Sequence, residues 1–324
     1  MSLPPILSER LRLPAVASPM FIVSGPELVI AQCKAGIVGS FPSLNARPQA
    51  QFEEWLVRID EELAKHDADN PDQPSAPYAV NLIVHKSNDR LEEDLATVVE
   101  HQVPIVITSL GARPDVNEAV HSYGGIVLHD IINNVFAHKA VERGADGLIA
   151  VAAGAGGHAG PQSPFALVQE IREWFDGPLL LSGSIAHGRS ILAAQAAGAD
   201  LAYIGSAFIA TDEANAVPGY KQMIVDSGAG DIVYSNLFTG VHGNYLRGSI
   251  TAAGMDPNNL AQSDPTAMDF GAGEPSDTPG AKPWKDIWGS GQGIGAVDAV
   301  LPTADLVDRL AREYAEAKAR LLAL

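Results

Sequence analysis

The chain has 324 residues, of which 46% are hydrophobic, and its formal net charge is -18. Such a chain can bury one large core or two smaller ones. Its acidity argues against nucleic acid and anionic lipid as partners. The only cysteine, Cys33, lies in an apolar helical context and reads as a small buried hydrophobe, so no disulfide can form within the chain. No metal-ligand spacing, no run of about eighteen apolar residues and no signal-peptide pattern in MSLPPILSERLRL is visible. A cytoplasmic location, no membrane and no bound metal are the corresponding expectations.

Apolar strand-like runs alternate with helical patterns from the start to about residue 211. The first run, Ala15-Val16-Ala17, leads into Ser18-Pro19-Met20, and a helix follows with Ser24 at its cap and Pro26 and Glu27 in its first turn. Ile37-Val38-Gly39 reads as the second strand. A charged helix near Gln49 to His66 and a polar surface loop, Asp67 to Pro77, come next. Further strands are expected at Tyr78–Leu82, Pro104–Thr108, Gly125–Leu128, Gly147–Val151, Pro178–Leu181 and Leu201–Ile204. Three helices end on a shared phrase, at Gly36, Gly144 and Gly198, where glycine can take the left-handed helix stop.

Eight apolar strands, each followed by a helix, predict an α/β fold with a parallel sheet buried on both faces. Eight strands close a (β/α)8 TIM barrel, and a doubly wound open sheet is the competing architecture. After Ala210 the rhythm breaks into Gly, Pro, Asn, Asp and Ser clusters. The expected organisation is a barrel from residues 1–211 and 289–324, with a small, partly helical lobe, 212–288, inserted after strand eight. The amphipathic tail from Thr303 to Leu324 is expected to pack back as the last helix.

Barrel active sites lie at the C-terminal strand ends. Those ends carry Ser18-Pro19-Met20, Asn81, Thr108-Ser109, His129-Asp130, the glycine loop Gly154 to Gly160, Ser182-Gly183-Ser184 and Gly205-Ser206. The glycine loop has almost no side-chain bulk, so a flat ligand can approach its backbone. His158 projects from it and is the candidate catalytic and substrate-touching residue. The Ser182–Ser184 and Gly205-Ser206 loops follow strands seven and eight, which build a phosphate site in many barrels. Asn81 can meet a heterocycle edge or simply form a turn, and Thr108 carries the same ambiguity. His129 is either a cation near an anionic cofactor or a bonded structural histidine. In the lobe, His242 and Tyr245 can close over a substrate or make a bonded turn, and Gln292 in Gly291-Gln292-Gly293 can reach a cofactor ring.

These pieces resemble the nitronate monooxygenases, formerly called 2-nitropropane dioxygenases. The resemblance is carried by Ala17-Ser18-Pro19-Met20-Phe21, Val80-Asn81-Leu82, the loop Gly154 to Gly160, Ser182-Gly183-Ser184-Ile185, Ala197-Gly198-Ala199-Asp200, Gly205-Ser206-Ala207-Phe208 and Gly291-Gln292-Gly293. It implies an FMN-dependent barrel enzyme that oxidises alkyl nitronates, or nitroalkanes, with O2 to a carbonyl compound and nitrite. In that reading Ala17 to Met20, Asn81, Thr108, His129, Gly156, Gly157 and Gln292 border the flavin. Ser182, Gly183, Ser184, Gly205 and Ser206 hold its phosphate, and His158, His242 and Tyr245 face a small-molecule substrate. The chain departs from the family at His129, where a Lys is common, and at Ser184 and Ala207. Two alternatives are an NAD(P)H-dependent flavin reductase acting on a quinone or enoyl-thioester, and a non-catalytic binder of a phosphorylated metabolite. A homo-oligomer stays open.

Overall fold

The computed structural model describes residues 3–263 and 286–323. Its strands in chain order are β1 (Ala15–Ala17), β2 (Gly39–Pro42), β3 (Tyr78–Ile83), β4 (Ile105–Ser109), β5 (Ile126–Ile131), β6 (Gly147–Val151), β7 (Gly157–His158), β8 (Leu179–Ser182), β9 (Leu201–Ile204), β10 (Ile232–Ser235) and β11 (Gly243–Leu246). Eight of them form one parallel sheet in the order β1-β9-β8-β6-β5-β4-β3-β2. The bridge Val16–Val38 joins its two ends, with Ala17 N donating to Val38 O at 2.8 Å. The fold is therefore the α/β barrel, not the open sheet.

Strand alternation sorts side chains between the barrel's interior and its helix layer. Val16, Val38, Ala79, Ile105, Ile107, Leu128, Ile149, Leu180 and Leu201 fill the interior, and Leu7 of the helix Pro5–Ser8 packs with them. Val80, Val106 and Val127 belong to the cluster between sheet and helices. The helix Thr303–Leu322 packs against Gly188–Ala197. A Cβ on Gly188 would lie 2.2 Å from Tyr314 N, so only glycine permits that approach. The helix stops at Gly36, Gly144 and Gly198 have φ of 91°, 94° and 113°, as the shared phrase suggested.

Some local expectations shift. Strand two is Gly39–Pro42 rather than Ile37–Gly39, because Ser40 and Phe41 pair with Ala79 and Val80. Pro42 is tolerated at the strand's last position, where it need not donate to the ladder. Ser24 is not the helix cap: Gly25 is, and Ser24 Oγ instead accepts from Met20 N at 2.9 Å. The last helix finds its cap far away in sequence, with Thr303 N and Oγ1 donating to Glu213 Oε2 at 2.9 and 2.7 Å.

The segment after β9 contains more than short helices. Alongside Pro218–Asp226 and Arg247–Ala252 it carries a three-stranded antiparallel sheet, β10-β11-β7. Its third strand is Gly157–His158, borrowed from the barrel's glycine loop. Strands this short give almost no periodic signal. Residues 264–285 of the expected lobe lie outside the described residues.

Candidate active site

A cavity of about 1140 Å³ opens at the C-terminal ends of the barrel strands, under the β10-β11-β7 sheet. Its first wall is the segment Ser18-Pro19-Met20. That segment is braced: Ser24 Oγ accepts from Met20 N, and Asn45 Nδ2 donates to Met20 O at 3.0 Å.

Strand alternation builds the floor. Ser18, Asn81, Ser109, Asp130, Ser182 and Tyr203 continue the interior-facing positions of their strands, and all line the cavity. Asn81 Nδ2 donates to Ile107 O at 3.0 Å and to Ser109 Oγ at 2.8 Å. Because a carbonyl only accepts, this fixes the amide's orientation and makes Oδ1 its acceptor. Ser109 Oγ in turn donates to Asp130 Oδ2 at 2.6 Å. Asp130 Oδ1 is buried without a hydrogen-bond partner among the described atoms. Burial pushes the Asp130 carboxyl up to about 6, against the lowering effect of the Ser109 hydroxyl. Tyr203, close to both Asp130 and Ser18, is likewise held in its neutral form by burial.

Thr108 and His129 have the opposite parity and turn toward the helix layer. They bond each other, Thr108 Oγ1 to His129 Nδ1 at 2.6 Å. His129 is 5% exposed and contributes to the cavity lining. Burial brings its pKa down to about 4, which favours the uncharged imidazole in its bond to Thr108.

The glycines pack loop on loop. A Cβ on Gly154 would lie 2.2 Å from Ser184 Oγ, one on Gly156 2.8 Å from Gly291 N, and one on Gly183 2.9 Å from Ala153 O. Gly183 also has φ 139°, and Ser184 is left-handed at φ 58°. Ser184 N and Gln292 N both donate to Gly154 O, at 3.2 and 2.9 Å. Gly291 N donates to Ser206 Oγ at 2.8 Å. The loops after β6, β8 and β9 and the 289–293 return are thus one interlocked unit at the cavity wall, with Ser182, Gly183, Ser184, Gly205 and Ser206 all on its surface.

His158 is set by long-range pairing and not by a flexible loop. Its strand pairs with β11, Gly243 opposite His158, and Asn244 Nδ2 holds Ala155 O at 2.7 Å. His158 Nε2 lies 2.9 Å from Thr239 Oγ1, while Thr239 Oγ1 donates to Val241 O at 3.1 Å. The Thr239 hydroxyl is thus shared among His158 Nε2, Val241 O and the neighbouring Tyr245 hydroxyl. Burial brings the His158 pKa down to about 4. His242 lines the outer wall, stacked on Tyr234 at 5.1 Å between centroids.

Fourteen of the predicted positions meet at this cavity: Ser18, Pro19, Met20, Asn81, His129, Gly156, Gly157, His158, Ser182, Gly183, Ser184, Gly205, Ser206 and His242. Ala17, Thr108, Tyr245 and Gln292 do not line it. Ala17 is wholly buried. Tyr245 is buried against Phe238, with ring centroids 4.8 Å apart, and its hydroxyl neighbours Thr239. It stands behind the His158–Thr239 pair. Gln292 contributes backbone to the loop unit. Sequence reading passed over Asp130 in favour of His129; counting alternate residues down β5 from Leu128 would have selected Asp130. It also missed Tyr203, Lys139 and Arg143. Among the described residues no cluster of three metal-ligating side chains occurs, and no helix is long and apolar enough to cross a membrane.

A closed α/β barrel with this interlocked glycine unit at its active-site end defines a barrel enzyme for a small-molecule substrate. The nitronate monooxygenase family model matches residues 7–313, and the chain belongs to that family of flavin oxidoreductases. It is 27% identical to a nitronate monooxygenase of Paraburkholderia phytofirmans over 344 aligned residues, covering 93% of this chain and 92% of that one. It is 24% identical to a hydroxy-methyl-oxo-octahydro-indene-carboxyl-CoA dehydrogenase of Rhodococcus jostii, covering 74% and 68%. In fold it matches the nitroalkane oxidase from Streptomyces ansochromogenes with a TM-score of 0.78 at 24% identity, covering 97% and 99%. Family membership sets aside the non-catalytic binder.

Proposed function

We propose that the chain uses FMN to oxidise alkyl nitronates with O2, giving a carbonyl compound and nitrite. The residues present suit the cofactor. Two hydroxyl-bearing loops on the neighbouring strands β8 and β9 suit its single terminal phosphate. Asn81 Oδ1 and the unpartnered Asp130 Oδ1 suit the N–H edge of a heterocycle. Ser182, Gly183, Ser184, Gly205 and Ser206 would hold the phosphate; Ser18, Pro19, Met20, Asn81, Gly156 and Gly157 would border the ring. When bound, the flavin supplies the electron-accepting and oxygen-reactive chemistry.

The observation that carries the substrate assignment is His158, clamped by β11 and Thr239 at the cavity wall with its pKa near 4. A base that weak removes a carbon-bound proton slowly, since an efficient general base titrates near the working pH. It remains a fixed hydrogen-bonding group that orients an anion already formed. The reading therefore places the preformed nitronate ahead of the neutral nitroalkane, with His158 steering it and excluding alternative poses. Steady-state oxygen consumption tests this: nitronates should be turned over with a much higher kcat/KM than the parent nitroalkanes. Equal values would show that His158 acts as a competent base and sink the assigned role.

A further inference from the structure

The outer mouth of the cavity is charged opposite to the rest of the molecule. The chain carries 39 Asp and Glu against 21 Lys and Arg. The cavity lining has one carboxylate, Asp130 in the floor, and two permanent cations, Lys139 and Arg143. Both cations are exposed, and no ion pair of either occurs among the described residues. Phe136 in the first turn of the helix Asn134–Glu142, Lys139 in its last turn and the C-cap Arg143 are spaced three and four apart, which puts them on one face. Phe136 is 46% exposed, and Lys139 Nζ lies 5.9 Å from its ring centroid. Arg143 Nη1 donates to Ala112 O at 2.6 Å, which fixes the guanidinium against the second lip, Leu110-Gly111-Ala112. Leu110 there is left-handed at φ 64°, a conformation that non-glycine residues keep where the surroundings impose it.

We propose that this lip binds the phosphate of a nucleotide-bearing substrate or cosubstrate, with Phe136 offering its ring to the base. A nitronate has no phosphate to engage two cations. The cavity of about 1140 Å³ exceeds the roughly 300–1,000 Å³ of ordinary small-molecule sites. A guanidinium fixed in orientation suits phosphate better than a mobile charge does. NADPH and acyl-coenzyme A thioesters share the relevant chemistry, a phosphorylated adenosine. The inference rests on the flavin reading of the inner cavity but not on nitronate as the substrate.

The test is equilibrium titration of the flavin-loaded protein with adenosine 2′,5′-bisphosphate, adenosine 3′,5′-bisphosphate and adenosine. At least one bisphosphate should bind more tightly than adenosine. Its Kd should rise about tenfold or more in Lys139→Gln and in Arg143→Gln, as expected for a lost hydrogen bond to a charged group, and its salt dependence should weaken. Lys139→Arg should retain binding. Preference for the 2′-phosphate would point to NADPH, and for the 3′-phosphate to coenzyme A. The lip assignment is overturned if no bisphosphate binds, or if both variants bind it as the parent does. The visible spectrum recorded in the same titration separates the two readings. Flavin bands with unmoved affinities sink the lip alone, whereas a protein that cannot retain flavin sinks the inner-site reading.

Discussion

Two histidines of the cavity lining each bond a threonine behind it, with similar chemistry and different construction. His129 bonds Thr108 at 2.6 Å across neighbouring strands of the barrel. His158 bonds Thr239 at 2.9 Å across a separation of 81 residues, through a sheet shared between a barrel loop and the inserted segment. Both are held uncharged by burial, each near pKa 4. His129 has the parity of the helix layer and bonds the neighbouring strand. His158 sits where the glycine loops leave room for a ligand. The two imidazoles thus stand in different surroundings, and the difference lies in strand parity and in what packs opposite.

The sharpest way to break this comparison is to remove each imidazole. His158→Ala should lower kcat/KM on nitronates by about 10–100-fold, as for a lost hydrogen bond to a charged group, while the protein still holds flavin. His129→Asn should lower the melting temperature and leave turnover per bound flavin close to that of the parent. Equal catalytic losses would mean that the pairs are not distinct. The next effect concerns the loop unit between them. Gly156→Val places its Cβ 2.8 Å from Gly291 N and 2.9 Å from Ser206 Oγ, with backbone that cannot yield cheaply. An overpacking penalty of about 1–3 kcal/mol should appear as weakened flavin retention during gel filtration.

Thr239→Val keeps the shape of its side chain but removes the hydroxyl bonded to His158 Nε2. A loss of about 1 kcal/mol is expected, read as roughly fivefold to tenfold in kcat/KM. A value equal to the parent's would release Thr239 from that role. The smallest effect is on stability against pH. Between about 6.5 and about 4 the unfolded chain protonates His129 and His158 while the folded one does not, so both erode stability as pH falls through that window. Asp130 works in the other direction. Its folded pKa of about 6 against the ordinary 3.8 means that the folded state takes up the proton first, so its contribution declines as pH rises between those values. Asp130→Asn should melt higher than the parent above pH 6 and lose that advantage by about pH 4. Thermal melts across pH 4–8 would show whether the two curves converge at the acid end.

Much of the barrel could be read from the chain because its signals are local. Apolar runs such as Ile105–Ile107 and Leu148–Ile149 alternate with helical patterns, and the helix stops at Gly36, Gly144 and Gly198 take the left-handed turn that their shared phrase implies. The phosphate-loop candidates followed from their place after the seventh and eighth barrel strands. What stayed hidden depended on register or on distant partners. Choosing Asp130 over His129 needs the parity of β5, which a strand ended one residue before His129 conceals. The sheet uniting Gly157–His158 with Gly243-Asn244 joins segments more than 80 residues apart, each too short for a periodic pattern. The reason for glycine at 154 and 156 also lies elsewhere in the chain, in Ser184 Oγ and Gly291 N.

The most direct test of the central claim is the visible absorption spectrum of the purified protein, before and after adding an alkyl nitronate in the absence of oxygen. The account predicts two flavin bands, matched by FMN on extraction, that bleach with nitronate and return on admitting air. Bands that persist with nitronate would contradict the substrate assignment, and a protein with no bands that fails to rebind added FMN would contradict the site itself.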